Sequence, residues 1–98
     1  MPPEECNDMA EVRVGVDATD RELVDLLARR FGYMRAVARI KTTRGAVRDE
    51  ARKAEVIAHA EQLARAADLP AKDIAQIWDA LVESSIAYEL AEWERLRG

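Results

Sequence analysis

The stretch DMAEVRVGVDATDRELVDLLARRFGYMRAVARIK, residues 8–41, decides the fold. Met9, Val12, Val16, Leu23, Leu26, Val37 and Ile40 fall on one seam of three- and four-residue steps, the spacing of a helix with one apolar stripe. Asp8, with Glu11 three residues later, reads as the start of a capping box. One part of the stretch disagrees. Val12, Val14 and Val16 alternate with polar residues or Gly15 as a strand would, and Gly15 and Gly32 each cost about 1 kcal/mol relative to Ala inside a helix. Periodicity alone therefore leaves the start of the first helix open between the two forms.

The length of this helix bears on assembly. About 34 residues at ~1.5 Å each give ~50 Å, whereas a compact monomer of this size has a radius of gyration of only ~13 Å. The seam needs a cover, and a second copy of the chain is the simplest one.

Downstream, residues 42–47 contain Gly45 and read as a loop. A second helix is expected over residues 48–67, with Ala51, Ala54, Ile57, Ala58 and Ala64 on its apolar side. Asp68-Leu69-Pro70 breaks it. A third helix follows to about Leu96, with Ile74, Ile77, Trp78, Leu81, Val82 and Ile86 facing inward. The reading is all-α: one three-helix domain over residues 1–98, with residues 1–7 as a flexible extension.

Composition agrees with a folded helical domain, at 49% hydrophobic and 35% charged residues with few Gly and Pro. The net charge of −4 argues against a nucleic-acid partner. Cys6 is the only cysteine, which excludes an intrachain disulfide and disfavours a thiol metal site. The apolar runs are too short to cross a membrane, and the opening residues lack the regions of a signal peptide. A reduced, cytoplasmic protein is expected.

The informative residues are polar ones that interrupt apolar rows. Arg30 lies on the seam of the first helix, and Lys41 follows it by eleven residues, about three turns, so both point the same way. In the third helix the row Ile74, Trp78, Val82, Ser85, Glu89 ends in two polar residues. The second helix opens with Arg48, Asp49 and Arg52. Buried cations require partners. Ion pairs of Arg30 with Glu89 and of Lys41 with Asp49 would satisfy that requirement, and so would a pocket for a small anion.

In their order and spacing, Arg13, Arg30, Lys41, Val47-Arg48-Asp49, Arg52, Ser85 and Glu89 resemble the all-helical, AroQ-class chorismate mutases. The likeness covers the chain from about Met9 to Glu89. Pro3-Glu4-Glu5-Cys6 and the closing stretch from Tyr88 to Gly98 are similar to isochorismate pyruvate lyase, a branch of the same family. The resemblance implies an intertwined homodimer of three-helix chains, the chorismate mutase type II fold, with helix rather than strand over residues 12–16. It implies no cofactor and no metal. Arg13, 17 residues before Arg30 and so facing roughly 100° away, would reach the partner's pocket.

Carried over residue by residue, Arg13 from the second chain and Arg30 would hold the two substrate carboxylates. Lys41 would stabilise the ether oxygen, Asp49 would hold the ring hydroxyl, and Arg52 would order the pocket. Ser85 would contact the ring carboxylate region. Glu89 stands where a glutamine commonly bonds the ether oxygen. Lys41 and Glu89 are thus the expected catalytic pair. Conversion of chorismate to prephenate breaks a C–O bond as a C–C bond forms, within one molecule. It needs an oriented conformer and a fixed cation rather than a nucleophile or a metal.

Two departures stand out. Lys53 replaces a second acid one turn after Asp49, and Glu89 replaces the glutamine. An ionised Glu89 would repel the ether oxygen and a protonated one would donate to it, so activity is expected to rise below neutral pH. Isochorismate pyruvate lyase, an amino-substituted chorismate as substrate, and a non-catalytic helical dimerisation module are the competing readings. His59, without a second ligand at metal spacing, reads as structural. Trp78, Trp93, Phe31 and Tyr33 read as packing residues, and Arg35, Arg39 and Arg44 as an exposed face.

Overall fold

The computed structural model describes all residues, 1–98, and contains helices and no strand. Helix α1 runs Met9–Ile40, α2 Glu50–Ala66 and α3 Ala71–Arg97, with 3-10 turns at Pro3–Glu5 and Arg44–Ala46. The expected all-α class and three helices are observed, within a residue or two of the expected ends. No helix is long and apolar enough to cross a membrane. The chain divides into two compact units, Met1–Tyr33 and Met34–Gly98.

In the first unit, the Glu11 N–H donates to Asp8 Oδ1 at 2.8 Å, and the Glu11 carboxylate accepts from the Asn7 N–H at 2.9 Å. The reciprocal arm of the cap thus serves the residue before Asp8 rather than Asp8 itself. It still ties the chain down where helical N–H groups lack partners. Residues 12–16 are helical, as the resemblance implied. Their alternation has no neighbouring strand to pair with, whereas a helix gives each interior N–H a carbonyl. The seam lies bare within the single chain: Met9, Val12, Val16, Leu23 and Leu26 are between 38% and 58% exposed.

In the second unit, α2 packs along α3, and the 3-10 turn after α1 also meets α3 and is followed by the buried Val47. The inward face of α2 is Lys53, Val56, Ile57, Ala60 and Ala64. Three alanines expected there, Ala51, Ala54 and Ala58, are exposed. Alanine favours helix on any face and is too small to reveal which one is buried. Val56 sets the orientation, and Ala60 and Ala64 follow it at four-residue steps. Ile77, also expected inside, is 56% exposed. The buried residues of α3 are Val82, Ser85 and Glu89.

Local chemistry sets the ends of α2. Asp49 caps its start, with Oδ1 accepting the Arg52 N–H at 3.0 Å. At its end Leu69 N–H reaches Ala64 O and Asp68 N–H reaches Arg65 O, a Schellman arrangement that puts Asp68 at φ 57°. No large side chain is fully buried anywhere. Burial of small residues removes little apolar area from water, so the fold of one chain is weakly driven by its own core.

Candidate active site

Lys41 follows the last residue of α1, and its N–H still bonds Val37 O at 2.9 Å. Its Nζ donates to Val47 O at 3.3 Å and lies 2.9 Å from Glu89 Oε1. Glu89 sits in the buried row of α3, and its side chain is only 6% exposed. Its Oε1 is close to the ammonium but outside hydrogen-bond geometry, and no other donor reaches it. Charge therefore holds this pair more than an aligned N–H does, and acceptor capacity is left over. Lys41 thus pairs with Glu89 and not with Asp49, as a purely structural network would have had it.

The two residues border a cavity of about 360 Å³ within the second unit. Asp49, Arg52, Lys53 and Ser85 join them on its polar side. Met34, Val37, Val56, Val82 and Ile86 supply the apolar side. A few convergent polar groups over an apolar floor is the usual form of a small-molecule site. Another hollow, about 280 Å³ in the first unit and lined by Met1, Pro3, Cys6, Val12 and Val16, has Asp20 as its only charged side chain. No Lys or Arg side chain lines it.

Five of the seven expected site residues thus line one cavity: Lys41, Asp49, Arg52, Ser85 and Glu89. Their states differ. One oxygen of Asp49 is committed to the helix cap, while Arg52 is 70% exposed and only 3.6 Å from Glu55. The Ser85 hydroxyl donates to Leu81 O at 2.7 Å. Arg13 and Arg30 belong to the first unit. Arg13 is exposed and Arg30 half-buried.

Lys53 is the cation whose setting the sequence does not show. Its Nζ lies 3.1 Å from Asp79 and 3.2 Å from Glu83, both on α3, and Glu83 also accepts from Arg48 at 2.9 Å. The two carboxylates hold Lys53 protonated above the usual lysine range, Asp79 first and Glu83 second. The hydrogen bond from Arg48, and then the adjacent Lys53 ammonium, keep Glu83 below the usual glutamate value. Asp79, Glu83, Met34 and Val56 were not identified from sequence. Glu83 follows Asp79 by one helical turn, the only available signal of a shared face.

The chain matches the family model described as chorismate mutase type II over residues 12–90. It is also 27% identical over 96 residues to isochorismate pyruvate lyase of Pseudomonas aeruginosa, covering 98% of this chain and 95% of that protein.

Proposed function

This chain belongs to the chorismate mutase type II family, and from that premise we propose that it rearranges chorismate to prephenate at the cavity around Lys41. The observation that carries this reading is the placement of Lys41 Nζ. Val47 O and Glu89 hold a fixed cation at the edge of a cavity with an apolar floor. In the rearrangement the ether C–O bond breaks while a C–C bond forms within the same molecule, and negative charge gathers on the ether oxygen. A cation fixed in advance stabilises that charge without reorganising at the moment of reaction.

The remaining groups orient the dianion. Arg52 on the cavity and Arg30 on α1 supply charge for the carboxylates, and Asp49 accepts from the ring hydroxyl. The apolar residues favour the compact conformer by excluding water. We assign Arg13 to the site of a second copy. The bare seam of α1 supports such a dimer, because apolar rows of this length are normally covered.

A second reading, elimination of pyruvate from isochorismate to leave salicylate, is favoured by the near-full-length relative of that activity. Lys53 also favours it, since it places a cation where an acid would hold the hydroxyl of chorismate. In that reaction the same C–O bond breaks, and a ring hydrogen passes to the enolpyruvyl methylene. Lys41 would serve the same oxygen in both.

The test is parallel incubation of the purified protein with chorismate and with isochorismate, with product identification. Prephenate as the faster product supports the proposal. Salicylate with pyruvate moves the protein to the second reading, and no turnover of either overturns both.

A further inference from the structure

The end of α3 is bonded to the end of α1, up to Lys41 itself. A helix leaves its last carbonyls without intrahelical partners. Here Arg97 donates to Ala38 O at 2.9 Å, to Arg39 O at 3.3 Å and to Lys41 O at 2.6 Å. Trp93 donates its indole N–H to the same Lys41 O at 3.0 Å. The guanidinium carbon also lies 4.5 Å from the centre of the Trp93 ring, so the two donors brace each other. A cation at a helix C-terminus is further favoured by the helix dipole. Trp93 is therefore more than the packing residue its sequence suggests.

We infer that Trp93 and Arg97 are positioning residues that act through Lys41, a role that rests on the reading of its cavity as the active site. A lysine side chain is long and freely rotating, so the position of Nζ depends on where its backbone is anchored. Val47 O and Glu89 hold the far end of Lys41, and the Trp93–Arg97 clamp holds the near end. Without the clamp the terminal turn of α1 is free to fray, as helix ends do. Nζ then loses its fixed place, although no group touching substrate has changed.

The test uses Trp93→Phe and Arg97→Met in the full chain, with Arg95→Ala as a control on the same stretch. Turnover is measured where circular dichroism shows each variant folded. Misplacing a catalytic group by about 1 Å costs up to about 100-fold, so we expect kcat to fall about 10-fold or more, with KM changed less than about 3-fold. Arg97→Lys, which can still reach one carbonyl, should recover part of the loss, and Arg95→Ala should match the unaltered chain. In a Lys41→Ala background, Arg97→Met should change kcat/KM by less than about 2-fold, because its route of action is already gone.

A lower melting temperature with unchanged kcat, or losses that add to that of Lys41→Ala, would overturn the inference and leave the cavity reading intact. Full activity in Lys41→Ala itself would overturn both. If Arg97→Met fails to fold, Trp93→Phe decides alone, since it keeps an aromatic ring under the guanidinium and removes the indole donor.

Discussion

Replacing Glu89 by glutamine tests the electrostatics of the cavity most directly. Glu89 is 4% exposed, and its Oε1 sits 2.9 Å from Lys41 without an aligned donor. On the proposed reading, an ionised carboxylate there opposes the negative charge that Lys41 stabilises. Two unit charges about 4 Å apart interact by roughly 4 kcal/mol at an effective dielectric of about 20. The ether oxygen carries only part of a charge at the transition state, so the penalty is about 1–2 kcal/mol, or roughly 5- to 30-fold in rate. Glutamine removes the charge, keeps the shape and offers an N–H. The Glu89→Gln variant should therefore turn over chorismate roughly 5- to 30-fold faster than the unaltered protein near about pH 7.5. Initial rates of chorismate loss at saturating substrate, taken at that pH, decide the matter. A variant no faster than the parent refutes the reasoning.

Other expectations concern stability and assembly. Arg48 and Lys53 hold Glu83 ionised below its ordinary value of 4.5. Its contribution is therefore complete above that value and is lost as the pH falls through the depressed native one. Glu83→Gln should lower the melting temperature near about pH 7 and flatten its decline below about pH 4.5. Asp68 adopts φ 57° at the end of α2, where glycine is less strained, so Asp68→Gly should raise unfolding free energy by roughly 0.5–1 kcal/mol in chemical denaturation. Leu23 and Leu26 are each 51% exposed on the bare seam. Leu23→Asp should convert a dimer to a monomer in sedimentation, and the unaltered protein should melt at higher temperature as its concentration rises. A melting point independent of concentration would count against the dimer.

Much of this architecture is legible in the residue pattern because long helices repeat their signal. The seam of α1, the Asp68-Leu69-Pro70 break and the Gly45 loop are each visible in more than one residue. The inward face of α2 is less so, because its alanines are spread around the helix and only Val56 and Ile57 carry directional weight. The cavity was half legible. Lys41, Ser85 and Glu89 stand out as polar residues in apolar rows, and the structure places them together. The grip of Asp79 and Glu83 on Lys53 is a contact between residues of different helices, whose separation has no fixed period. The same holds for Trp93 and Arg97, which meet the end of α1 more than fifty positions away. No spacing rule reaches that far.

The way the cavity divides its wall has a consequence for how such a protein diversifies. Charge comes from positions 41, 49, 52, 53 and 89, and shape from positions 34, 37, 56, 82 and 86. Only Val82 of the shape-giving group is buried; the other four are half-exposed. Exchanges among Met, Val, Ile and Leu at those four places alter the space around a ring substituent and leave every ion pair in place. Substitutions of similar volume there cost less than about 1.5 kcal/mol. On the proposed reading, substrate preference can therefore drift by small apolar steps while the apparatus that handles the breaking bond is inherited whole.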